Sequence, residues 1–173
     1  MRGAGSTVGE VIIREEDPGT RRAQAAVITY IREVLTLAGL QQLGVEAAAA
    51  DVDDFRPPAG TFAVALDGER VVGCIALRRH TEADAEIKRM WVAPTARGGG
   101  LGTALLAHAE ERAGELGYRR VVLDTNDALT AAMHFYARHG YKPIGRYNDN
   151  LDATHFFAKR LTDRQGPSGP VLQ

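Results

Sequence analysis

One glycine-rich stretch constrains the fold of this 173-residue chain more than any other. It runs Arg97-Gly98-Gly99-Gly100-Leu101-Gly102, after a strand pattern ending at Val92 and before a helical pattern. Without side chains, the backbone N–H groups of such a loop can converge on an anion, and the helix behind it adds its positive dipole end. The spacing excludes the P-loop, which needs a lysine after the glycines, and the dinucleotide pattern G-x-G-x-x-G. The stretch predicts a pyrophosphate site between strand and helix, and its alternative is a flexible connector.

Strand and helix patterns alternate along the rest of the chain. They predict an α/β (α+β) fold in which one domain spans 11–163, between a flexible N-terminus at 1–10 and a flexible tail at 164–173. The predicted strands are 11–13, 61–66, 70–77, 85–92, 121–123, 141–147 and 154–161, and the predicted helices are 26–38, 45–50, 101–116 and 129–139.

The composition excludes several classes of function. The formal net charge is −1, which favours neither nucleic acid nor an anionic membrane as a partner. The single cysteine, Cys74, lies in an apolar run and predicts a buried thiol rather than a disulfide scaffold or a cysteine zinc site. The histidine spacing does not predict a metal site either. With no signal-peptide pattern and no long apolar stretch, the expected location is cytoplasmic.

Three motifs together resemble one enzyme family. The loop fits R/Q-x-x-G-x-G/A at Arg97, Gly100 and Gly102, the strand before it reads EIKRMWVAP from Glu86, and a later helix reads FYARHGY from Phe135. In order and spacing these motifs are similar to those of the GNAT superfamily of N-acetyltransferases. The resemblance extends over roughly 11–161 and is identified on motif match alone.

The resemblance implies a fold and a donor. The fold would be a mixed central sheet of six to seven strands, flanked by about four helices and splayed between strands 4 and 5. The donor and co-substrate would be acetyl-CoA, with its pyrophosphate on the loop amides, its pantetheine arm along strand 4, and no metal. The implied contacts are Met90, Trp91, Val92, Arg97, Gly98, Gly99, Gly100, Leu101, Gly102, Thr103, Asn126 and Tyr136.

Two side chains are candidates for acid–base catalysis, which amine acetylation requires. Glu86 lies eleven residues before Arg97, where some relatives carry a general base. By period-two alternation it shares a strand face with Lys88, Met90 and Val92, and the alternative is a plain ion pair with Lys88. Tyr136 matches the tyrosine that protonates the departing sulfur in this family, and its alternative is a core tyrosine.

One position departs from the family pattern. Relatives often place an asparagine seven residues before this tyrosine to contact the pantetheine, and here that residue is Leu129. Asn126, at the end of the fifth strand, is the candidate substitute.

The expected acceptor is a primary amine of a small molecule. An acidic stretch at 43–68, with five carboxylates and one arginine, would attract a cationic amine, although a solvated acidic face is the alternative. A protein or peptide acceptor, and a non-catalytic acyl-CoA-binding module, remain the other hypotheses. An exposed strand edge near the C-terminus would permit a homodimer.

Overall fold

A seven-stranded mixed sheet organises the chain. In the computed structural model, which describes residues 10–41, 44–50 and 52–162, the strand order is β1-β2-β3-β4-β5-β7-β6. Neighbouring strands are antiparallel except for the parallel pair β4–β5. The strands are β1 Val11–Glu15, β2 Thr61–Asp67, β3 Arg70–Arg79, β4 Asp84–Val92, β5 Arg120–Thr125, β6 Lys142–Pro143 and β7 His155–Arg160.

Four helices of the described chain pack around this sheet. They are α1 Arg21–Leu37, α2 Val45–Ala50, α3 Leu101–Glu115 and α4 Thr130–Arg138. The Thr20 hydroxyl accepts a hydrogen bond from the amide of Ala23 and so begins α1. Gly117, with φ of 93°, follows the end of α3 and allows Tyr118 N–H to bond the Ala113 carbonyl. The predicted helices are confirmed.

The buried apolar side chains form one contiguous cluster. It takes members from α1, from strands β2 to β5 and from α3, and the sheet therefore has helices on both faces. The predicted mixed sheet is confirmed, whereas the single domain over 11–163 stays a prediction. The predicted flexible ends fall mostly on 1–9 and 163–173, which lie outside the described residues.

The strand predicted over 141–147 is wrong in extent. Only Lys142 and Pro143 pair with β7, and the amide of Ile144 adds one more bond, to the Phe156 carbonyl. Proline lacks the N–H that a ladder needs. The chain then turns away because the Arg146 guanidinium donates to the carbonyls of Asn150 and Ala153.

The sheet divides between β4 and β5. These strands pair only where Asp84, Ala85 and Glu86 meet Arg120, Val121 and Val122. Both strands run on, β4 to Val92 and β5 to Thr125, without pairing to each other. The expected splay between strands 4 and 5 is therefore confirmed, and it opens a cleft in the middle of the molecule.

Candidate active site

The glycine loop leaves open space in front of its backbone. Gly98 and Gly100 have φ of 84° and 86°, a left-handed conformation that favours glycine. A Cβ added at Gly98, Gly99 or Gly100 would meet nothing within 4 Å. Glycine therefore serves two purposes in this loop: it allows the left-handed backbone conformation, and its lack of a side chain leaves room for a ligand to approach the backbone.

The first turn of α3 has backbone N–H groups without a partner inside the helix. No side chain caps the helix, and its first backbone bond runs from Ala104 N–H to the Gly100 carbonyl. The amides of Leu101, Gly102 and Thr103 precede that bond, as the first N–H groups of any helix do. Together with the helix dipole they fit an anion such as a pyrophosphate. The Thr103 hydroxyl lies 2.9 Å from His139 Nε2, so only its amide is available to such an anion.

Arg97 is held toward α1 rather than over the loop. Its Nε donates to the Val92 carbonyl at 3.0 Å, and its guanidinium also donates to the Glu33 carboxylate. The second oxygen of Glu33 accepts a 2.9 Å bond from the Trp91 indole N–H. Glu33 therefore joins α1 to both β4 and the loop, and the side chain of Trp91 faces α1.

A bulge in β4 changes which residues share a face. Lys88 opposes Ala76, but Trp91 opposes Cys74, so β4 holds one extra residue, and Arg89 takes a φ of 55°. Lys88 and Trp91 consequently face the same side, while Met90 and Val92 face the other. The predicted common face of Glu86, Lys88, Met90 and Val92 is wrong beyond Lys88.

Three contacts hold the bulge. The buried Cys74 thiol donates to the Arg89 carbonyl at 3.2 Å, and burial raises the pKa of this thiol to about 12, which keeps it protonated as a donor. The Arg89 guanidinium donates to the Ala48 carbonyl at 2.6 Å and lies 4.7 Å from the centre of the Phe55 ring. The prediction of a buried thiol at Cys74 is confirmed.

The splay opens into a cleft of about 360 Å³. Its walls come from α1, from the diverging ends of β4 and β5, and from the start of α4. Apolar side chains dominate the α1 side, and carboxylate, amide and lysine groups lie toward β5 and the loop before β7. The principal lining residues are Tyr30, Ile31, Val34, Leu35, Ala38, Lys88, Arg89, Met90, Asp124, Asn126, Leu129, Tyr136, Asn150 and Asp152.

Tyr136 lines this cleft from α4. Its ring is 8% exposed, and its hydroxyl donates a weak 3.5 Å hydrogen bond to the Met90 sulfur. Burial, with smaller contributions from Tyr30 and Asp124, raises the pKa of Tyr136 well above its usual value. The hydroxyl is therefore protonated at neutral pH, as a proton donor must be. The structure brings together Tyr136 and Met90, two of the predicted site residues.

Glu86 is buried behind the cleft rather than on its wall. It is 1% exposed, and its Oε1 accepts two bonds from Arg78, at 3.1 and 2.8 Å. The same oxygen lies 3.3 Å from Lys88 Nζ. Lys88 lines the cleft and Glu86 does not, so Lys88 connects this carboxylate to the cleft.

Asp124 is a site residue that the sequence reasoning missed. It stands at the end of β5, and both carboxylate oxygens lie 3.0 Å from Lys88 Nζ. Oδ2 also accepts from the side chains of Asn148 at 2.6 Å and Asn150 at 3.2 Å. Burial opposes ionisation, but Lys88 and the two amides outweigh it and hold the pKa of Asp124 below its ordinary value. The sequence does contain an aspartate at the end of an apolar strand and, further on, a turn rich in asparagine. Nothing in the sequence, however, indicates that the aspartate and the turn are in contact.

Asn126 has a structural role at the cleft edge. Its side-chain N–H donates to the Asp152 carbonyl at 2.6 Å, and its oxygen accepts from the Ala128 amide at 2.8 Å. Asn126 and Leu129 both line the cleft. Contact between Asn126 and a pantetheine arm stays a prediction.

Three described carboxylates of the acidic stretch at 43–68 lie apart from the cleft. Among its described carboxylates, Glu46 pairs with Arg32, Asp53 with Arg56, and Asp54 with Arg78. None of these three acids lines the cleft.

Neither a metal-binding cluster nor a membrane-spanning helix is present in the described ranges. Within 10–41, 44–50 and 52–162, no three His, Cys, Asp or Glu side chains are grouped so that they could hold a metal ion. Across those same residues, no helix has both the length and the apolar character needed to cross a bilayer.

An open glycine loop at a helix N-terminus, a splayed strand pair and a tyrosine-lined cleft are together the features expected of an acyl-CoA-dependent N-acyltransferase. Comparison with known proteins identifies the group: residues 28–141 match the family model described as the acetyltransferase (GNAT) family. The chain belongs to this family. It therefore uses acetyl-CoA as the donor for acyl transfer and acts on an amine acceptor.

The similar proteins agree with this assignment. The chain is 33% identical to an IAA acetyltransferase of Azospirillum brasilense, over 79% of this chain and 90% of that protein. It is 33% identical to an uncharacterized N-acetyltransferase of Schizosaccharomyces pombe, over 64% of this chain and 74% of that protein. The fold matches the crystal structure of PaiA N-acetyltransferase from Thermoplasma acidophilum in complex with coenzyme A, with a TM-score of 0.70 and 18% identity, over 87% of this chain and 99% of that one.

Proposed function

We propose that this chain is an N-acetyltransferase that moves the acetyl group of acetyl-CoA to a primary amine of a small molecule by direct attack. The observation that carries the proposal is that β4 meets both the glycine loop and α4 at Met90: a Cβ added at Gly102 would lie 3.8 Å from the Met90 methyl carbon, and the Tyr136 hydroxyl lies 3.5 Å from the Met90 sulfur. The small volume of the cleft, about 360 Å³, supports a small acceptor over a protein segment.

Each part of the donor has residues suited to hold it. The loop amides from Gly98 to Thr103 would bind the pyrophosphate. The β4 edge at Met90 and Val92, which has no partner strand on the β5 side, would pair with the pantetheine amides as an added strand does. An added Cβ at Gly102 would lie 3.4 Å from the Phe135 ring, so glycine there keeps the loop against α4.

The reaction follows from this placement. The amine nitrogen, once neutral, attacks the thioester carbonyl carbon, forming the C–N bond and a tetrahedral intermediate. The C–S bond then breaks while the Tyr136 hydroxyl donates its proton to the sulfur, giving the amide and free CoA thiol. Because the pKa of Tyr136 is raised by burial, a lasting tyrosinate is unfavourable. The proton lost from the nitrogen therefore returns to Tyr136 through water in the same step, and protons balance.

We propose Glu86 as the general base only by an indirect route. Its carboxylate is bonded to Arg78 and Lys88, so a proton from the acceptor would reach it only through water or by way of Lys88. Glu86→Gln, which keeps the shape, separates this role from a purely structural one. A base predicts a loss of kcat that is recovered as pH rises, whereas a structural role predicts a loss independent of pH.

The experiment combines donor binding with turnover. Calorimetry measures acetyl-CoA binding, and thiol release is followed with amines, amino acids, polyamines and short peptides. Gly99→Asp places a carboxylate in the open space before the loop, and we expect binding to weaken by about tenfold or more. Gly114→Asp, an equally open position within α3, is the matched control and keeps wild-type affinity.

Each outcome has a clear meaning. Acetyl-CoA binding with thiol release to a small amine supports the proposal. Binding without turnover by any acceptor would instead indicate a non-catalytic acyl-CoA-binding module. No heat with acetyl-CoA, or equal affinity of the two aspartate variants, would overturn the assignment of the glycine loop.

A further inference from the structure

The acceptor side of the cleft has a distinct chemical character. One face of α1 borders it with Tyr30, Ile31, Val34, Leu35 and Ala38, all of which are half-buried. They line the same cleft as Asp124 at the end of β5. An apolar wall of this kind recognises a carbon body rather than a polar chain.

A carboxylate stands opposite that wall. Asp124 Oδ2 accepts from Lys88, Asn148 and Asn150, whereas Oδ1 is shown accepting only from Lys88. A carboxylate oxygen has room for two donors. Oδ1 is therefore suited to one further N–H donor, and the lowered pKa of Asp124 keeps it ionised at neutral pH.

Both cations on the cleft wall are already committed. Lys88 contacts Asp124 and Glu86, and Arg89 contacts the Ala48 carbonyl and the Phe55 ring. A carboxylate on the acceptor could bind Lys88 only by displacing one of these contacts, and the Arg89 Nη1 atom is buried. The cleft consequently disfavours α-amino acids, and a second ammonium group placed against Val34, Leu35 and Ala38 would meet apolar side chains.

We infer that the acceptor is a small apolar monoamine, whose ammonium is received at Asp124 Oδ1 and whose carbon body lies against Val34, Leu35 and Ala38. This inference rests on the proposed function and narrows its substrate class. It excludes amino acids and polyamines as the preferred acceptors.

Matched pairs of amines test the inference. 3-Methylbutylamine differs from leucine only by the carboxylate, and pentylamine differs from 1,5-diaminopentane only by the second amine. We expect kcat/KM for each monoamine to exceed that of its partner by about tenfold or more. Acetyl-CoA binding is measured separately by calorimetry, so a failed donor site is distinguished from a wrong acceptor class.

Two leucines of α1 give a matched pair of variants. Leu35→Ser removes an apolar side chain from the cleft wall, and we expect the KM for 3-methylbutylamine to rise about fivefold or more while the KM for acetyl-CoA is unchanged. Leu37→Ser makes the same change at a 57% exposed position outside the cleft, and it keeps wild-type kinetics.

The results that overturn the inference are specific. They are a higher kcat/KM for leucine or 1,5-diaminopentane than for the monoamines, or an unchanged amine KM in Leu35→Ser. Acetyl-CoA binding without turnover of either monoamine also overturns it, and leaves the donor site standing. Loss of acetyl-CoA binding in the wild-type protein would instead refute the proposed function.

Discussion

Replacing Tyr136 by phenylalanine separates catalysis from folding. The hydroxyl donates a hydrogen bond of 3.5 Å to the thioether sulfur of Met90, which is a weak acceptor. Removing a buried hydroxyl from such a partner changes the free energy of unfolding by less than about 1 kcal/mol. The ring keeps its edge contacts with Phe135 and Tyr141.

The catalytic effect should be far larger. A positioned general acid contributes about 10²- to 10⁴-fold to the rate, so kcat should fall by at least about a hundredfold. Thiol release at saturating acetyl-CoA measures this loss, and calorimetry should find acetyl-CoA affinity unchanged. These two results together would assign the hydroxyl to the chemical step.

Tyr118→Phe is the opposite control. Its hydroxyl donates a 2.7 Å bond to the Ala59 carbonyl, away from the cleft. Its loss leaves a half-buried carbonyl with a missing partner, which costs about 1 kcal/mol and lowers the melting temperature by several degrees. The kcat of Tyr118→Phe should stay at the wild-type value. If Tyr136→Phe retains kcat within threefold of wild type, the assignment of Tyr136 as the acid is refuted.

Three further changes have defined outcomes. Asp124→Asn removes a buried charge partner of Lys88 and should lower the free energy of unfolding by about 3 kcal/mol at pH 7. Because folding lowers the pKa of Asp124, this stabilisation is present above the ordinary pKa of 3.8 and is lost as pH falls through the folded pKa. When unfolding by denaturant is measured from pH 7 to pH 3, the free energies of unfolding of the variant and the wild type should therefore converge. Gly100→Ala, at φ of 86°, should cost about 1–2 kcal/mol, whereas Gly99→Ala, for which no positive φ is found, should cost little in the same thermal assay. Gly60→Ala should destabilise strongly but keep kcat, because the new Cβ would lie 2.2 Å from the Asp54 carbonyl oxygen; wild-type stability would contradict the packing.

The sequence predicts most of the architecture because the relevant signals are local. The strand patterns at 61–66 and 70–77 and the helical pattern of α1 each depend on residues close together in the chain. The loop from Arg97 to Gly102 is likewise a continuous motif. Its open geometry in the structure agrees with the motif, although contact with a ligand there remains a prediction.

The arrangement of the site is less accessible to sequence reasoning. The alternation of side chains along β4 does not reveal the extra residue. The left-handed conformation of Arg89 is unfavourable for a non-glycine residue, so the local sequence does not predict it. It is maintained by tertiary contacts, from Cys74 and from Ala48 and Phe55, that are distant in sequence. The register of β4 against β5, which brings Lys88 to Asp124, is equally non-local.

We propose that the bulge and the ion pair together allow one strand to serve both substrates. Up to Lys88, β4 directs its charged side chains toward Asp124, on the face that α1 covers. After the extra residue, Met90 points to the opposite face and meets Tyr136 of α4. Without the bulge, Met90 would share the face of Lys88 and could not contact Tyr136. The same divergence of β4 from β5 leaves a strand edge for the donor and a carboxylate beside it for the acceptor, so that the two reacting groups would meet at the residues where the sheet ceases to pair.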